Sequence, residues 1–558
     1  MTHDLGLATA PGGGLTTALP ALPDLPDLPT ASHQDGGPDP VPVPPLRPLA
    51  PQLGRPGATG PAAAPALSGG PALSGGPDGP DALDPLIRTV LDALARGAAR
   101  RGGPLPEGTP RELAAEVVRA FTAADGDEAL GLLTEVLAHG SADPADPLCA
   151  AHLHCPPLAV AVAADLAVSA LNPSQDSWDQ APAATTLETL LLQELAALVG
   201  YDPVAAAGVL TSGGTESNLM GLMLARDRVL GRAAGRQVEL AGVPATGARP
   251  RIFASAAAHF SVARSAALLG LGEDAVVSVP VDHELRMLPD SLAAALRESA
   301  DRGELPLAIV ATAGTTDTGA VDPLGRCAEL AAEYGAWLHV DAAYGGGALL
   351  SDRLAPLLDG IERADSVSLD WHKLGWQPVA AGVFLARRAE TYASLARRAV
   401  YLNPQDDEEA GYPSLLGLSL RTTRRADAFK IAVTLRTLGR AGLGALVDTC
   451  HELARQGALA VRAEPRLELH AEPVLTAFLF RYVPEGADPA HTDEVNAALR
   501  RRLLREGRAV VGRTELPGEG PGRVRLKLTL LNPRTGPQDV ARLVRTVVAA
   551  GLAEEESR

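Results

Sequence analysis

From about residue 150 to 395, short β-rich runs alternate with Ala- and Leu-rich helical stretches, and this alternation constrains the fold most. Candidate strands fall at 208–211, 251–255, 275–279, 307–311, 337–340, 366–369 and 379–386, with helical spacing between most of them, as at 261–269 and 289–299. Parallel strands need crossover connections, usually helices, so the pattern predicts an α/β unit with a mainly parallel sheet. A long helix is expected from about 424 to 455. A smaller α+β unit follows it, with strands near 476–482 and 523–530.

Ahead of the alternating region, LDPLIRTVLDALARGAARR places Leu86, Val90, Leu91 and Leu94 on one side of a helix beginning near Asp84, and further helices are expected at 112–123 and 128–138. Residues 1–80 are dominated by Pro, Gly and Ala, with LPALPDLPDLP and a doubled ALSGGP at 66–77. Too few large apolar side chains are present there to offset the entropy of ordering, so disorder is expected. The expected organisation is a disordered extension (1–80), a helical segment (81–150), a large domain (151–430) and a small C-terminal domain (431–558).

The 558 residues are 46% hydrophobic and 21% charged, enough for a large core, and carry a formal net charge of −18. Nucleic-acid binders and anionic membrane surfaces call for a basic face, so neither partner is expected. Four cysteines in so long a chain make no disulfide framework. The opening residues lack a signal peptide's basic and apolar regions. The most apolar stretch, 158–171, is interrupted by Asp165 and is too short to span a bilayer. A reduced, cytoplasmic setting is expected.

Lys and Arg total 49, and only Lys373, Lys430 and Lys527 are lysine. Arginine supplies positive charge but not a nucleophilic amine, because its guanidinium stays protonated. Each lysine is therefore a candidate for amine chemistry. Lys430 reads as a pairing or capping residue on the long helix. Lys373 ends the strand SVSLDWHK, directly after His372.

Two further motifs precede it. Thr-Ser-Gly-Gly-Thr-Glu-Ser-Asn (211–218) follows a strand and opens a helix, where glycines and free N–H groups make an anion cup. It matches neither GxxxxGK[ST] nor GxGxxG. AWLHVDAAYGG delivers Asp341 to a strand end, where ligands of open α/β sheets bind. Alone, the cup reads equally as a helix cap, and Asp341 as an N-cap. Together, in this order, cup, carboxylate and amine suit pyridoxal 5′-phosphate: the cup for phosphate, the acid for the ring nitrogen and the lysine for the aldehyde.

On these motifs, with AAAHFSVARSA around His259 and ATAGTTDTGAVDP around Thr315, the chain from about residue 85 onward resembles the group II pyridoxal-phosphate-dependent amino-acid decarboxylases. The resemblance implies a fold-type-I, aminotransferase-like large domain. It also implies a cofactor site of Gly213, Gly214, Thr215, His259, Thr315, Asp341, Ala343, His372 and Lys373. His259 would stack on the ring and Lys373 would form the Schiff base. Asp370 and Trp371 depart from the Asn-Pro seen before His-Lys in many relatives. Tyr401, with Tyr412 as its rival, matches a lid tyrosine that returns a proton after CO₂ leaves. Lys527 falls where relatives carry a basic residue for the substrate carboxylate, and Arg525, two residues earlier, is the alternative. Asp176 and Asp179 are candidates for a cationic substrate side chain, or else turn-capping residues. His152, His154 and Cys155 lack a second ligand pair at zinc spacing, so no metal is expected.

The implied activity is release of CO₂ from an L-amino acid by a homodimer with its active sites at the subunit interface. LHCPP, SWDQAP, DWHKLGWQP and SLRTTRR look most like bacterial decarboxylases of diamino acids such as 2,4-diaminobutyrate or lysine. An aliphatic substrate such as valine or leucine is the alternative, and a carbon–carbon lyase or aldehyde synthase ranks lower. A cofactor-bearing regulator would need a DNA-binding domain that the sequence does not offer.

Overall fold

The computed structural model describes residues 79–244, 247–396, 399 and 401–557. The Pro-rich head and its expected disorder lie outside them, save for a short turn at Gly79–Ala82. Helices α1 (Leu83–Arg101), α2 (Pro110–Ala123) and α3 (Ala129–Gly140) come first, followed by α4 (Ala159–Leu171) and α5 (Pro182–Val199). Local chemistry starts α2. Pro110 occupies the first turn, Thr109 accepts from the Glu112 N–H, and the Glu112 carboxylate accepts from the Thr109 N–H at 2.7 Å.

Seven strands follow: β1 (Ala207–Thr211), β2 (Pro250–Ser255), β3 (Val276–Val279), β4 (Leu305–Thr312), β5 (Trp337–Ala342), β6 (Ser366–Asp370) and β7 (Gly382–Ala386). They form one sheet in the order β1-β7-β6-β5-β4-β2-β3. Pairs from β6 to β3 are parallel, while β7 is antiparallel to β6 and β1. β5 and β6 are buried at every position, as strands covered on both faces must be. One core cluster packs Met220, Leu222 and Val262 with Phe384 of the sheet, and another packs Leu191, Leu330 and Ile431 with Leu338. Because β1 is antiparallel to β7 and β7 to β6, the carboxyl ends of β1, β4, β5 and β6 share one edge. That edge carries the three motifs.

The chain ends in an antiparallel sheet of β8 (Leu467–Leu469), β9 (Ala477–Tyr482), β10 (Gly512–Glu515) and β11 (Val524–Thr529), in the order β10-β11-β9-β8. Helices Pro489–Arg505 and Pro537–Glu556 cover it around Phe478, Phe480, Leu499, Leu526 and Val547. β8 and β10 went unforeseen, being three and four residues long with charged members. The long helix runs Ala428–Ala463, ending later than periodicity indicated, with a break at Gly439 where φ is 67°. No described helix is long and apolar enough to cross a membrane.

Candidate active site

A cavity of about 470 Å³ opens at the shared strand edge, lined by Gly213, Gly214, Thr215, His259, Asp341, Ala343, His372 and Lys373. Residues separated by up to 160 positions thus meet because successive parallel strands deliver them side by side.

Asp341 closes β5 and is 7% exposed. Its Oδ2 accepts from Asn218 Nδ2 at 2.7 Å, while Oδ1 accepts from the Ala343 N–H at 3.1 Å and from Ser368 Oγ at 3.2 Å. Asn218 donates again to Ser261 Oγ at 2.9 Å, and that hydroxyl lies 2.8 Å from His259 Nδ1. On its other side Asn218 Oδ1 accepts from His339 Nε2 at 2.9 Å, and His339 Nδ1 meets Ser366 Oγ at 2.8 Å. Trp337 Nε1 donates to the same Ser366 oxygen. A neutral His339 protonated on Nε2 satisfies this chain of bonds. Its complete burial agrees, pushing the imidazole pKa down to about 4 despite the pull of Asp341. Gly221 makes the room, since a Cβ there would stand 2.6 Å from His339 Nδ1. Asn218, His339, Ser366 and Ser368 were missed from sequence. The only signal was position within the same motifs, two to seven residues from Thr215, Asp341 or Lys373.

Lys373 follows β6, and its Nζ lies 3.0 Å from Asp370 Oδ2, with His372 Nε2 3.5 Å from the same oxygen. The Ala381 N–H donates to His372 Nδ1 at 3.3 Å, and burial lowers the His372 pKa. Burial likewise lowers that of His259. Across the cavity the cup loop is braced by Glu216, whose carboxylate accepts from the Ser212 N–H at 2.7 Å and binds Arg421 at 3.0 Å. A Cβ at Gly214 would sit 2.8 Å from the Ala343 methyl, and one at Gly213 would be 3.2 Å from His372. Bare backbone N–H groups at the start of α6 (Gly214–Ala225) are what an anion needs.

Other expected residues fall elsewhere. The Thr315 hydroxyl turns into its own loop, 2.8 Å from Thr318 Oγ1 and accepting from the Ala320 N–H, while Thr312 and Thr316 line the cavity instead. Asp179 is exposed and accepts from Ser177 Oγ at 2.5 Å, outside the cavity lining. Tyr401 is 85% exposed, and Tyr412 packs edge-on against Trp178 at 4.9 Å. Arg525 donates to the Gly522 and Val524 carbonyls. Lys527 is buried with its Nζ 2.9 Å from Asp317 Oδ1. Lys430 pairs with Asp165 and Asp427, each at 3.2 Å. Cys155 Sγ donates to the His372 carbonyl. Among the described residues no three His, Cys, Asp or Glu side chains group as metal ligands.

The residues present fit pyridoxal phosphate. A phosphate-sized cup, a fixed carboxylate and a lysine surround one cavity, and the buried Thr312 Oγ1 and Asp370 Oδ1 have no partner in the protein.

The comparisons with known proteins agree. Residues 122–483 match the family described as the pyridoxal-dependent decarboxylase conserved domain. The chain is 44% identical over 401 residues to an L-2,4-diaminobutyrate decarboxylase of Rhizobium meliloti (strain 1021), covering 72% of this chain and 77% of that protein. An enzyme of the same name from Acinetobacter baumannii is 39% identical over 407 residues, covering 72% and 79%. Among solved structures, the glutamate decarboxylase domain of diaminobutyrate-pyruvate transaminase and L-2,4-diaminobutyrate decarboxylase from Vibrio parahaemolyticus superposes with a TM-score of 0.76. It shares 34% identity and covers 86% of this chain and 97% of that one. A fold-type-I α/β enzyme with a pyridoxal phosphate site is thereby defined. The chain belongs to the pyridoxal-dependent decarboxylases, carboxy-lyases acting on amino acids.

Proposed function

We propose that the substrate is a diamino acid, first of all L-2,4-diaminobutyrate, and that the product is the corresponding diamine. The observation carrying this is that two enzymes of that name are 44% and 39% identical to the chain. The similarity lies with diamino-acid enzymes, so the aliphatic alternative raised from composition is set aside. When bound, pyridoxal phosphate supplies an electron sink for the pair left on Cα as CO₂ departs.

The chain's residues divide the remaining work. Lys373 would hold the cofactor through its amine. Asp341 would keep a proton at the ring nitrogen, with Asn218 and Ser368 fixing the carboxylate's orientation. His259 and Ala343 would contact the ring, and Gly213, Gly214, Thr215 and His372 would receive the phosphate. Lys527, in preference to Arg525, takes the substrate carboxylate, and Tyr401 returns the proton to Cα from a lid that excludes water. Thr315 would act by shaping its own loop.

The proposed organisation is a large domain (151–430) carrying the cofactor, a helical segment (81–150) before it and a small C-terminal domain (431–558) after it. A homodimer is supported by apolar side chains exposed on α1 and α2, including Leu91, Val117, Val118 and Phe121. A cytoplasmic setting is supported by four unpaired cysteines. The decisive experiment offers purified enzyme, with pyridoxal phosphate, the proteinogenic and diamino acids, and measures CO₂ and amine. Release of 1,3-diaminopropane from L-2,4-diaminobutyrate is expected. Turnover of glutamate, valine or an aromatic amino acid in its place would overturn the reading.

A further inference from the structure

Two cavities meet at His259 and Thr316: the 470 Å³ cavity described above and one of about 350 Å³ that also reaches Asp317 and Thr514. Behind their shared wall at Thr316, the Lys527 ammonium is held by the loop after β4. It donates to Asp317 Oδ1 at 2.9 Å and lies 3.4 Å from the Thr316 carbonyl. Asp317 Oδ2 accepts from Thr514 Oγ1 at 2.6 Å, so β10 fixes the carboxylate from behind. The Lys527 side chain is 8% exposed and that of Asp317 32%, which leaves Asp317 the open member of the pair. A substrate carboxylate arriving at so buried an ammonium competes with Asp317 for it.

We propose that Asp317 selects substrates with a cationic side chain by exchanging its ion pair with Lys527 for one with the substrate's distal ammonium. The inference rests on the diamino-acid reading and on Lys527 as the carboxylate anchor. In an extended 2,4-diaminobutyrate the distal nitrogen is about 4 Å from Cα by ordinary bond lengths. An ammonium on so short a chain stays close to its own carboxylate, and hence close to the carboxylate that Lys527 has released. Before binding the two protein charges satisfy each other, and after it each is satisfied by the substrate. No charge is orphaned at either stage. A substrate of the same shape with a neutral end takes Lys527 and strands Asp317, with only Thr514 to hold it. An acidic substrate places like charge against it. Discrimination here comes from rejection as much as attraction. Fully enclosed polar sites reject such analogues by 10⁴–10⁵-fold, and solvent at the one-third-exposed Asp317 reduces this to on the order of 10²-fold.

The test compares L-2,4-diaminobutyrate with L-norvaline, in which a methyl replaces the ammonium, on holoenzyme. Wild type should prefer the diamino acid by kcat/KM. In Asp317→Asn the preference should fall about 10²-fold, mostly through a raised KM for the diamino acid, with norvaline turnover unchanged or improved. Asp317→Glu should restore part of it. A preference unchanged in Asp317→Asn, or equal loss for both substrates, overturns the proposal. Should Asp317→Asn not fold, Thr514→Val frees Oδ2 without removing charge. It should raise the KM for the diamino acid several-fold and spare norvaline, and an unchanged ratio there overturns the proposal too. Wild type that decarboxylates no diamino acid would remove the functional reading itself, whereas active wild type with an indifferent Asp317→Asn removes only the role of Asp317.

Discussion

Asp341 lines the cavity and Lys527 reaches its wall at Thr316; both are buried charged groups on strands, yet their surroundings differ in kind. Asp341 is held by Asn218 on α6, Ser368 on β6 and the Ala343 backbone, and behind these lie His339, Ser366 and Trp337 in the interior. Apart from the Ala343 turn, every bond joins regular elements, and the group is held from several sides at once. Lys527 is held by Asp317 and Thr316 from a loop, with Asp317 a third exposed. Its bonds can be exchanged for those of an incoming molecule. The proposed cofactor side is thus preorganised, as a site acting on a fixed prosthetic group should be, and the proposed substrate side at Lys527 is open to exchange of partners.

The largest expected effect falls where the two sides meet. Lys373→Arg keeps a cation beside Asp370 but removes the amine, so turnover should vanish, and borohydride should no longer fix the cofactor to the chain. In wild type the reduced label should lie on the peptide containing Lys373. Finding it on Lys430 or Lys527 would break the division, because Lys430 is spent on Asp165 and Asp427, and Lys527 on Asp317.

A smaller loss is expected on the mobile side. Tyr401→Phe keeps the ring and removes a hydroxyl that is 85% exposed, so folding and cofactor binding should hold. Loss of a general acid costs on the order of 10²–10⁴-fold in rate. Amine formation measured by chromatography should fall by that factor, and aldehyde should appear as oxygen competes for the unprotonated carbon. Wild-type rates in this variant would transfer the role to Tyr412, which now packs on Trp178.

What the sequence revealed follows the same division. The central sheet strands were legible because both their faces are buried, which leaves near-continuous apolar runs, and Asp341 and Lys373 were legible because each lies at the end of such a run. Gly213 and Gly214 stood out through their place between strand and helix. Asn218 and His339 were hidden because nothing local distinguishes a buried polar side chain from a surface one. Their partners lie 121 residues apart and meet only through the parallel register. Asp317 was illegible for a stronger reason. Its meaning depends on Lys527, 210 positions away on another sheet. The resemblance singled out Thr315, whose hydroxyl bonds within its own loop, while the threonines of the cavity lining are Thr312 and Thr316.

The smallest effect tests whether the interior side is as locked as its bonds imply, and it is read in stability. His339 is fully buried with its pKa depressed to about 4, against about 6.5 for a free imidazole. Its folded pKa lies below the unfolded one, so between those values the unfolded chain binds the extra proton and stability rises with pH. The contribution is full above about pH 6.5 and drains away as pH falls toward 4. Between pH 7 and pH 5 this single group should cost about 2 kcal/mol. His259, His372 and other half-buried histidines shift the same way, so wild type alone does not isolate the effect. His339→Gln does. The amide can still donate to Asn218 Oδ1, and it cannot titrate. The variant should be less stable at pH 7, from imperfect packing beside Gly221, yet lose less than wild type on acidification. Thermal midpoints of both holoenzymes at pH 7 and pH 5 make the comparison. Equal acid losses would mean that His339 is charged or solvated when folded, and that the cofactor side can rearrange much as the rim does.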